Sequence, residues 1–296
     1  LTYRSKAPLR IGLAGGGTDV HPYASTYGGA VLNATINHFA HATLEPLSEN
    51  AIVLHDINAR KELRFAWSPV LPVNGELDLL KGVYNRIHRD YGLPLTGFKL
   101  TTSVDTPIGS GLGTSSTLVV AIIGAVAQML ALPLGNDDIA RLAYDIERHD
   151  LGFAGGHQDQ YAAAFGGINY LEFGPGEQVV VNPLRLKTEV VQELENNLVL
   201  YYTGQYRQSG TIIETQQNNV RSGNAISIDA MHQLKVQAQR MKEALIKGRL
   251  QDMGELLDFG FSHKKNMAEG ISNPQLEAVY AAAIAAGATG GKISGA

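Results

Sequence analysis

The sequence predicts an α+β fold divided into two domains that meet at a shared cleft. Three observations carry this expectation. The chain has 296 residues, enough for one large domain or two ordinary ones around a full hydrophobic core. Strand-like and helix-like patterns alternate up to about residue 185, and the remainder of the chain is helix-rich. Glycine, at 33 residues, exceeds its usual share and is clustered without a period. The predicted domains are residues 1–185 and 186–296.

Alternating apolar and polar residues mark strands at Leu9–Ala14, Ala30–Leu44, Ala51–Ile57 and Phe98–Val104, because successive strand side chains point to opposite faces. Helical spacing of apolar residues marks Leu77–Tyr91, Ser115–Leu132, Asn136–His149 and Gln158–Phe165, with Asn136 or Asp137 as the N-cap of the third. Two further strands are expected at Gly167–Phe173 and Asn197–Thr203. Beyond Asn224 the pattern becomes helical. Met231, Leu234, Ala238, Met241 and Leu245 recur at spacings of three and four, one apolar stripe for a core to cover.

Composition narrows the function. Lysine plus arginine number 24 against 28 aspartate plus glutamate, a net charge of −4, so the basic excess of a nucleic-acid binder is missing. With 44% apolar and 18% charged residues the chain is not a disordered tail. It has no cysteine, hence no disulfide and no thiolate metal site, which fits a reducing compartment. The run Leu118–Leu134 approaches the length of a membrane span. It is opened by Ser115 and Ser116, interrupted by Gln128 and closed by Pro133, with no cationic flank, and reads as a helix buried in a soluble core. The chain starts at Leu1, and no cationic segment followed by an apolar run and a cleavage site is visible, so a cytoplasmic protein without a membrane partner is expected. At the other end it stops within GATGGKISGA and reads as cut short there.

Four short segments, 12–17, 109–113, 152–167 and 287–295, carry 16 of the 33 glycines. Glycine is required where a backbone takes positive φ or comes close to a ligand, although tight turns alone also use it. The segment DTPIGSGLGTSST, Asp105–Thr117, follows a strand and runs into the apolar helix. A glycine loop entering a helix offers free N–H groups and the positive end of the helix dipole, an anion site suited to phosphate. It lacks the lysine of a Walker A loop, and Thr114 stands where GxGxxG needs its last glycine.

Three motifs resemble the GHMP kinases, the superfamily of galactokinase, homoserine kinase, mevalonate kinase and phosphomevalonate kinase. PIGSGLGTSS (Pro107–Ser116) looks like their nucleotide-phosphate loop, PLRIGLAGGGTD (Pro8–Asp19) like their substrate motif, and GATGGKISGA (Gly287–Ala296) like the start of their third glycine motif. The resemblance implies a ribosomal-protein-S5-like N-terminal domain and a ferredoxin-like C-terminal domain with the active site in the cleft between them. It implies ATP as co-substrate with Mg²⁺. ATP contacts would come from Pro107, Gly109, Ser110, Gly111, Leu112, Gly113, Thr114, Ser115 and Ser116, and Mg²⁺ ligands from Ser115 and Glu147. Asp159, in HQDQYAAAFGG, is then the catalytic base and Arg10 stabilises the transferring phosphoryl group. Gly16, Gly17, Thr18, Asp19, His21 and Arg10 would meet the substrate.

Galactokinase-like members read GEHTD where this chain reads GGGTD, which argues against galactose. With GHQDQYAAAFGG and YYTGQYRQSG, the GGGTD form looks most like the heptose 7-phosphate kinases and fucokinase-type sugar kinases, which phosphorylate an anomeric hydroxyl on the way to a nucleotide sugar of the GDP-heptose type. A fucokinase- or galactokinase-like acceptor and a non-catalytic sugar-binding protein are the alternatives, and a homodimer stays open. Lys6, Arg4 and Arg207 are candidates for a second substrate phosphate, equally readable as surface charges. Nine histidines include no HExxH pair. His38 and His41 are read as structural, while His149 and His157 flank the catalytic loop and are read as shaping it rather than as binding zinc. Trp67 and Tyr84 could border an adenine pocket, though core packing is the commoner fate of such residues.

Overall fold

The computed structural model describes residues 1–92, 97–107, 109–204 and 209–295. Arg207 therefore lies outside the described residues. The strands are β1 (Tyr3–Ala14), β2 (Gly29–Pro46), β3 (Ala51–Asp56), β4 (Lys61–Ala66), β5 (Phe98–Val104), β6 (Ile168–Phe173) and β7 (Val179–Pro183). The α-helices are α1 (Tyr23–Tyr27), α2 (Asp78–Tyr91), α3 (Thr114–Leu130), α4 (Asn136–Asp145), α5 (Gln158–Phe165), α6 (Thr188–Asn197), α7 (Ser209–Arg221), α8 (Ala225–Ile246), α9 (Asp252–Lys264) and α10 (Pro274–Ala285). The chain forms two compact units. The first comprises Leu1–Arg10, Thr35–Phe153 and Asp159–Gly166; the second comprises Ile11–Ala34, Ala154–Gln158 and Gly167–Ala296. The expected division after residue 185 lies inside the second unit, between β7 and α6.

In the first unit β3 pairs with β4 as a hairpin, Ala51 opposite Ala66 and Asp56 opposite Lys61. β3 also pairs in parallel with β5, Ile52 opposite Phe98. A parallel pair needs a crossover, and α2 supplies it. The C-terminal half of β2 closes this side antiparallel to β5, Ala40 opposite Val104. Ile52, Leu54, Leu44 and Leu100 from the strands pack with Leu80, Val83 and Ile87 of α2 and Val119, Ile122 and Ile123 of α3. Burying each such side chain stabilises by roughly 1.5–3 kcal/mol. The sequence of α3 from Leu118 to Val126 has no charged residue, and the helix is buried almost all round.

In the second unit the N-terminal half of β2 pairs with β6, Gly29 opposite Phe173, and β6 pairs with β7, Asn169 opposite Pro183. The expected stripe of α8 is fully used. Ala238, Met241 and Leu245 pack with Leu13, Leu32 and Leu257, while Met231 and Leu234 pack with Tyr23, Met267 and Ile271.

Three expectations need correction. Asn197–Thr203 is not a strand: Asn197 ends α6, and Val199 and Tyr201 stand 88% and 67% exposed. Apolar side chains alone do not make a strand where no neighbouring strand bonds the backbone. The N-cap of α4 is Gly135, not Asn136 or Asp137; the capping carboxylate is Asp138, whose Oδ2 accepts from Gly135 N–H at 2.8 Å. The helix expected to run to His149 changes at Ile146 into a π-turn, Ile146–Asp150. Such turns occur often at functional sites. Among the described residues no helix is long and apolar enough to cross a membrane.

Candidate active site

The phosphate-loop residues are grouped within the first unit. Gly109, Gly111 and Gly113 all have positive φ, and Gly113 in the left-handed region is the N-cap of α3. No side chain caps this helix, and its first turn has no acidic residue. The helix thus supplies no acidic side chain of its own to neutralise the positive dipole end, which suits an incoming phosphate. Ser115 and Ser116 lie in that first turn.

Glu147, in the π-turn, is 1% exposed. Ser115 Oγ donates to its Oε1 at 2.8 Å, and Arg148 Nη1 lies 3.8 Å from the same oxygen. Gln160 Nε2 donates to Oε2 at 2.5 Å and to Ser116 Oγ at 3.0 Å. Hydroxyl and carboxylate oxygens meeting in this way are the donor set of a hard dication such as Mg²⁺. Gln160 was missed by sequence reasoning. The signal was its place beside Asp159 at the start of α5, where helix geometry turns neighbouring side chains to different partners.

Buried Arg10 and half-buried Asp159 form an ion pair. Arg10 Nε donates to Asp159 Oδ1 at 2.6 Å, Nη2 reaches the same oxygen at 2.6 Å, and Nη1 donates to the Gly111 carbonyl at 2.7 Å. Arg10 N–H also bonds the Leu112 carbonyl at 3.2 Å. One guanidinium therefore ties the carboxylate to the glycine loop. Nε and Nη2 both converge on Oδ1, which leaves Oδ2 as the oxygen turned to the loop. A Cβ placed on Gly113 would stand 3.2 Å from Oδ2. Beyond Ser115, the loop packs through Leu112, which is buried, while Ser110 Oγ lies 3.5 Å from Thr106 Oγ1 and Ser110 N–H bonds the Pro107 carbonyl.

The substrate-motif residues are grouped within the second unit. Thr18 is buried; its hydroxyl meets the Gly15 and Ala30 carbonyls at 2.8 and 2.9 Å and accepts from Ala30 N–H, pinning the turn. Asp19 is 1% exposed. Its Oδ1 accepts from Gly17 N–H at 3.2 Å and Gln158 Nε2 at 3.4 Å, and its Oδ2 from Gln158 N–H at 3.1 Å. Gly156 is required here, since a Cβ would lie 2.0 Å from Asp19 Oδ2. Gly17 is held through its carbonyl by Gln216 Nε2 at 2.8 Å, and Gly16 faces Gln158. Lys292, in the third glycine motif, donates to the Gly12 carbonyl at 2.6 Å. His21 is half-buried, and its Nε2 has no hydrogen-bond partner. Gln158, Gln216 and Lys292 were not singled out by the sequence, because their partners, the Asp19 carboxylate and the Gly17 and Gly12 carbonyls, are distant along the chain.

Other candidates resolve locally. Lys6 sits over the Phe39 ring at 4.3 Å, and Arg4 is exposed. Tyr84 is buried with its hydroxyl bonded to the Ser68 carbonyl, and Trp67 packs edge-on against His88.

Known proteins resemble this chain along its whole length. The family models "GHMP kinases N terminal domain" and "GHMP kinases C terminal" match residues 78–167 and 241–296. A D-glycero-alpha-D-manno-heptose 7-phosphate kinase of Campylobacter jejuni is 45% identical over 295 residues, covering 100% of this chain and 86% of that protein. The crystal structure of a D-glycero-D-manno-heptose 1-phosphate kinase from Bacteroides thetaiotaomicron is 46% identical, with a TM-score of 0.83 over 100% of this chain and 86% of that one. A galactokinase of Lactococcus lactis complexed with galactose is 18% identical, with a TM-score of 0.69 over 95% of this chain and 79% of that one, a likeness of fold alone. With the phosphate loop, the buried carboxylates and this full-length identity together, the chain belongs to the GHMP kinase superfamily.

Proposed function

We propose that this protein is an ATP-dependent sugar kinase that transfers the γ-phosphoryl group to the anomeric hydroxyl of D-glycero-D-manno-heptose 7-phosphate. The observation that carries the reading is the Arg10–Asp159 pair fastened to the glycine loop, with Ser115 and Glu147 in hydrogen-bond contact in the same unit. Phosphoryl transfer needs little covalent chemistry from the protein and much positioning and charge stabilisation. The glycine loop and the N-terminus of α3 receive the nucleotide phosphates. Ser115 and Glu147 would hold Mg²⁺, which supplies positive charge to the phosphate oxygens; Gln160 keeps Glu147 in place.

Asp159 orients the acceptor hydroxyl and takes its proton at Oδ2, because Oδ1 is occupied by Arg10. Arg10 fixes that carboxylate and offers its remaining charge to the transferring group. Asp19, anchored by Gly17 and Gln158, accepts hydrogen bonds from sugar hydroxyls, and Gly16, Gly17, Thr18 and His21 shape the turn that receives the sugar. The heptose acceptor rests on the identity with the Campylobacter protein. The two heptose kinase names differ in the position of the phosphate, so the acceptor is the point to test.

The experiment is ADP release measured with heptose 7-phosphate, heptose 1-phosphate, L-fucose and galactose, with the product's new phosphate located by ³¹P NMR. Turnover highest with the 7-phosphate and a new anomeric phosphate is expected. Turnover confined to fucose or galactose would discard the heptose acceptor, and no turnover with any sugar would discard the kinase activity.

A further inference from the structure

We propose that His21, His157 and Glu177 form a binding site for a transition-metal dication of the zinc type, made of residues other than the Mg²⁺ ligands Ser115 and Glu147. The inference stands independently of the kinase reading. One ligand atom from each of the three residues lies within 4.8 Å of the other two, all inside the second unit. Two imidazoles and one carboxylate suit Zn²⁺, whereas Mg²⁺ prefers oxygen alone.

The imidazoles are prepared for this role. His157 is buried, and its Nδ1 lies 3.2 Å from the backbone carbonyl oxygen of Asp19. A carbonyl only accepts, so Nδ1 carries the proton and Nε2 presents its lone pair, the arrangement that orients metal-binding histidines. His21 Nε2 is buried without a hydrogen-bond partner. Leaving such a group unsatisfied costs about 1–3 kcal/mol, which a ligated cation would offset. The two rings stand 5.1 Å apart at 70°, edge-on.

Glu177 is delivered by the turn of the β6–β7 hairpin, which Gly174 N–H closes on the Gln178 carbonyl at 2.9 Å. Its φ of +58° is left-handed, a conformation that costs a non-glycine residue about 1–2 kcal/mol. The same turn packs against α1, which begins two residues after His21. In a tetrahedral site with bonds near 2.0 Å the ligand atoms stand about 3.3 Å apart. Rotation of the exposed Glu177 side chain can close that difference, and the fourth position is left to water. Because His157 also holds the Asp19 carbonyl, an ion here would fasten the hairpin turn to the peptide of the substrate motif.

The test is equilibrium dialysis of the full chain against Zn²⁺ in a buffer with excess Mg²⁺, which fills sites made of oxygen alone. Wild type is expected to retain one equivalent and to melt at a higher temperature with Zn²⁺ than without it. Glu177→Gln and His21→Gln should each weaken retention by about tenfold or more and abolish the shift in melting. Co²⁺ in place of Zn²⁺ should give the visible band of a four-coordinate ion in wild type only. Retention well below one equivalent in wild type, or unchanged affinity in either variant, overturns the proposal.

Discussion

The phosphate-loop region and the substrate-motif region each present an aspartate beside glycine, but they hold it by opposite means. Asp159 is held by a charged side chain, Arg10, which is itself bonded to the loop. Asp19 is held mostly by neutral N–H groups of the backbone and of Gln158, with Gly156 pressed against it. In the first, side-chain chemistry is the sensitive element, and changing one functional group removes a charge from the pair. In the second, backbone shape is the sensitive element. There a single methyl should do more harm than its size suggests.

The largest effect expected from this contrast is at Asp159. Asp159→Asn keeps an acceptor for Arg10 and removes the proton acceptor, so kcat should fall by about 10²–10⁴-fold while ATP still binds. Single-turnover ADP release with a parallel nucleotide titration measures both. A rate within a few-fold of wild type would break the assignment of Asp159 as base. Glu147→Gln comes next. It removes a carboxylate charge and should raise the Mg²⁺ concentration for half-maximal rate by about 10–100-fold, and an unchanged Mg²⁺ titration would count against Glu147 as a ligand.

The same contrast explains what the sequence made legible. Arg10, Asp19, Ser115, Glu147 and Asp159 were singled out because motifs tie their types to glycine turns, and the structure brings Arg10 to Asp159 and Ser115 to Glu147. Phe98–Val104 and Gln158–Phe165 were legible to the residue, since period and punctuation agree there. β4 was not, because Lys61, Glu62 and Arg64 hide the apolar alternation of an edge strand half open to solvent. Asn197–Thr203 misled for the converse reason: its apolar residues have no ladder to join. Gln160 and Gln158 act through hydrogen bonds to residues 13 and 139 positions away. No local pattern announces such contacts.

Gly156→Ala tests the backbone-held half. Its Cβ would stand 2.0 Å from Asp19 Oδ2, so the carboxylate or the loop before α5 must move. A displacement of about 1 Å can cost up to about 100-fold in rate when it misplaces a substrate. Here the expected result is a KM for the sugar raised by about tenfold, with the KM for ATP unchanged. Equal rises in both would show that the methyl disturbs more than the substrate turn, and would weaken the separation between the two halves.

Gln160→Met should give the smallest effect and the finest test of the charged half. The substitution conserves shape and removes the donor to Glu147 Oε2 and Ser116 Oγ. It also removes Gln160 Oε1, a buried oxygen without a hydrogen-bond partner. Deleting that unsatisfied oxygen offsets part of the loss, so the stability change should stay within about 1–2 kcal/mol. Glu147 nevertheless loses the contact that directs Oε2, and the Mg²⁺ concentration for half-maximal rate should rise by several-fold, up to about tenfold. Urea melts and Mg²⁺ titrations of the same variant separate the two consequences. A Mg²⁺ requirement unchanged alongside lost stability would make Gln160 a packing residue, and Glu147 would then be held by Ser115 and Arg148 without it.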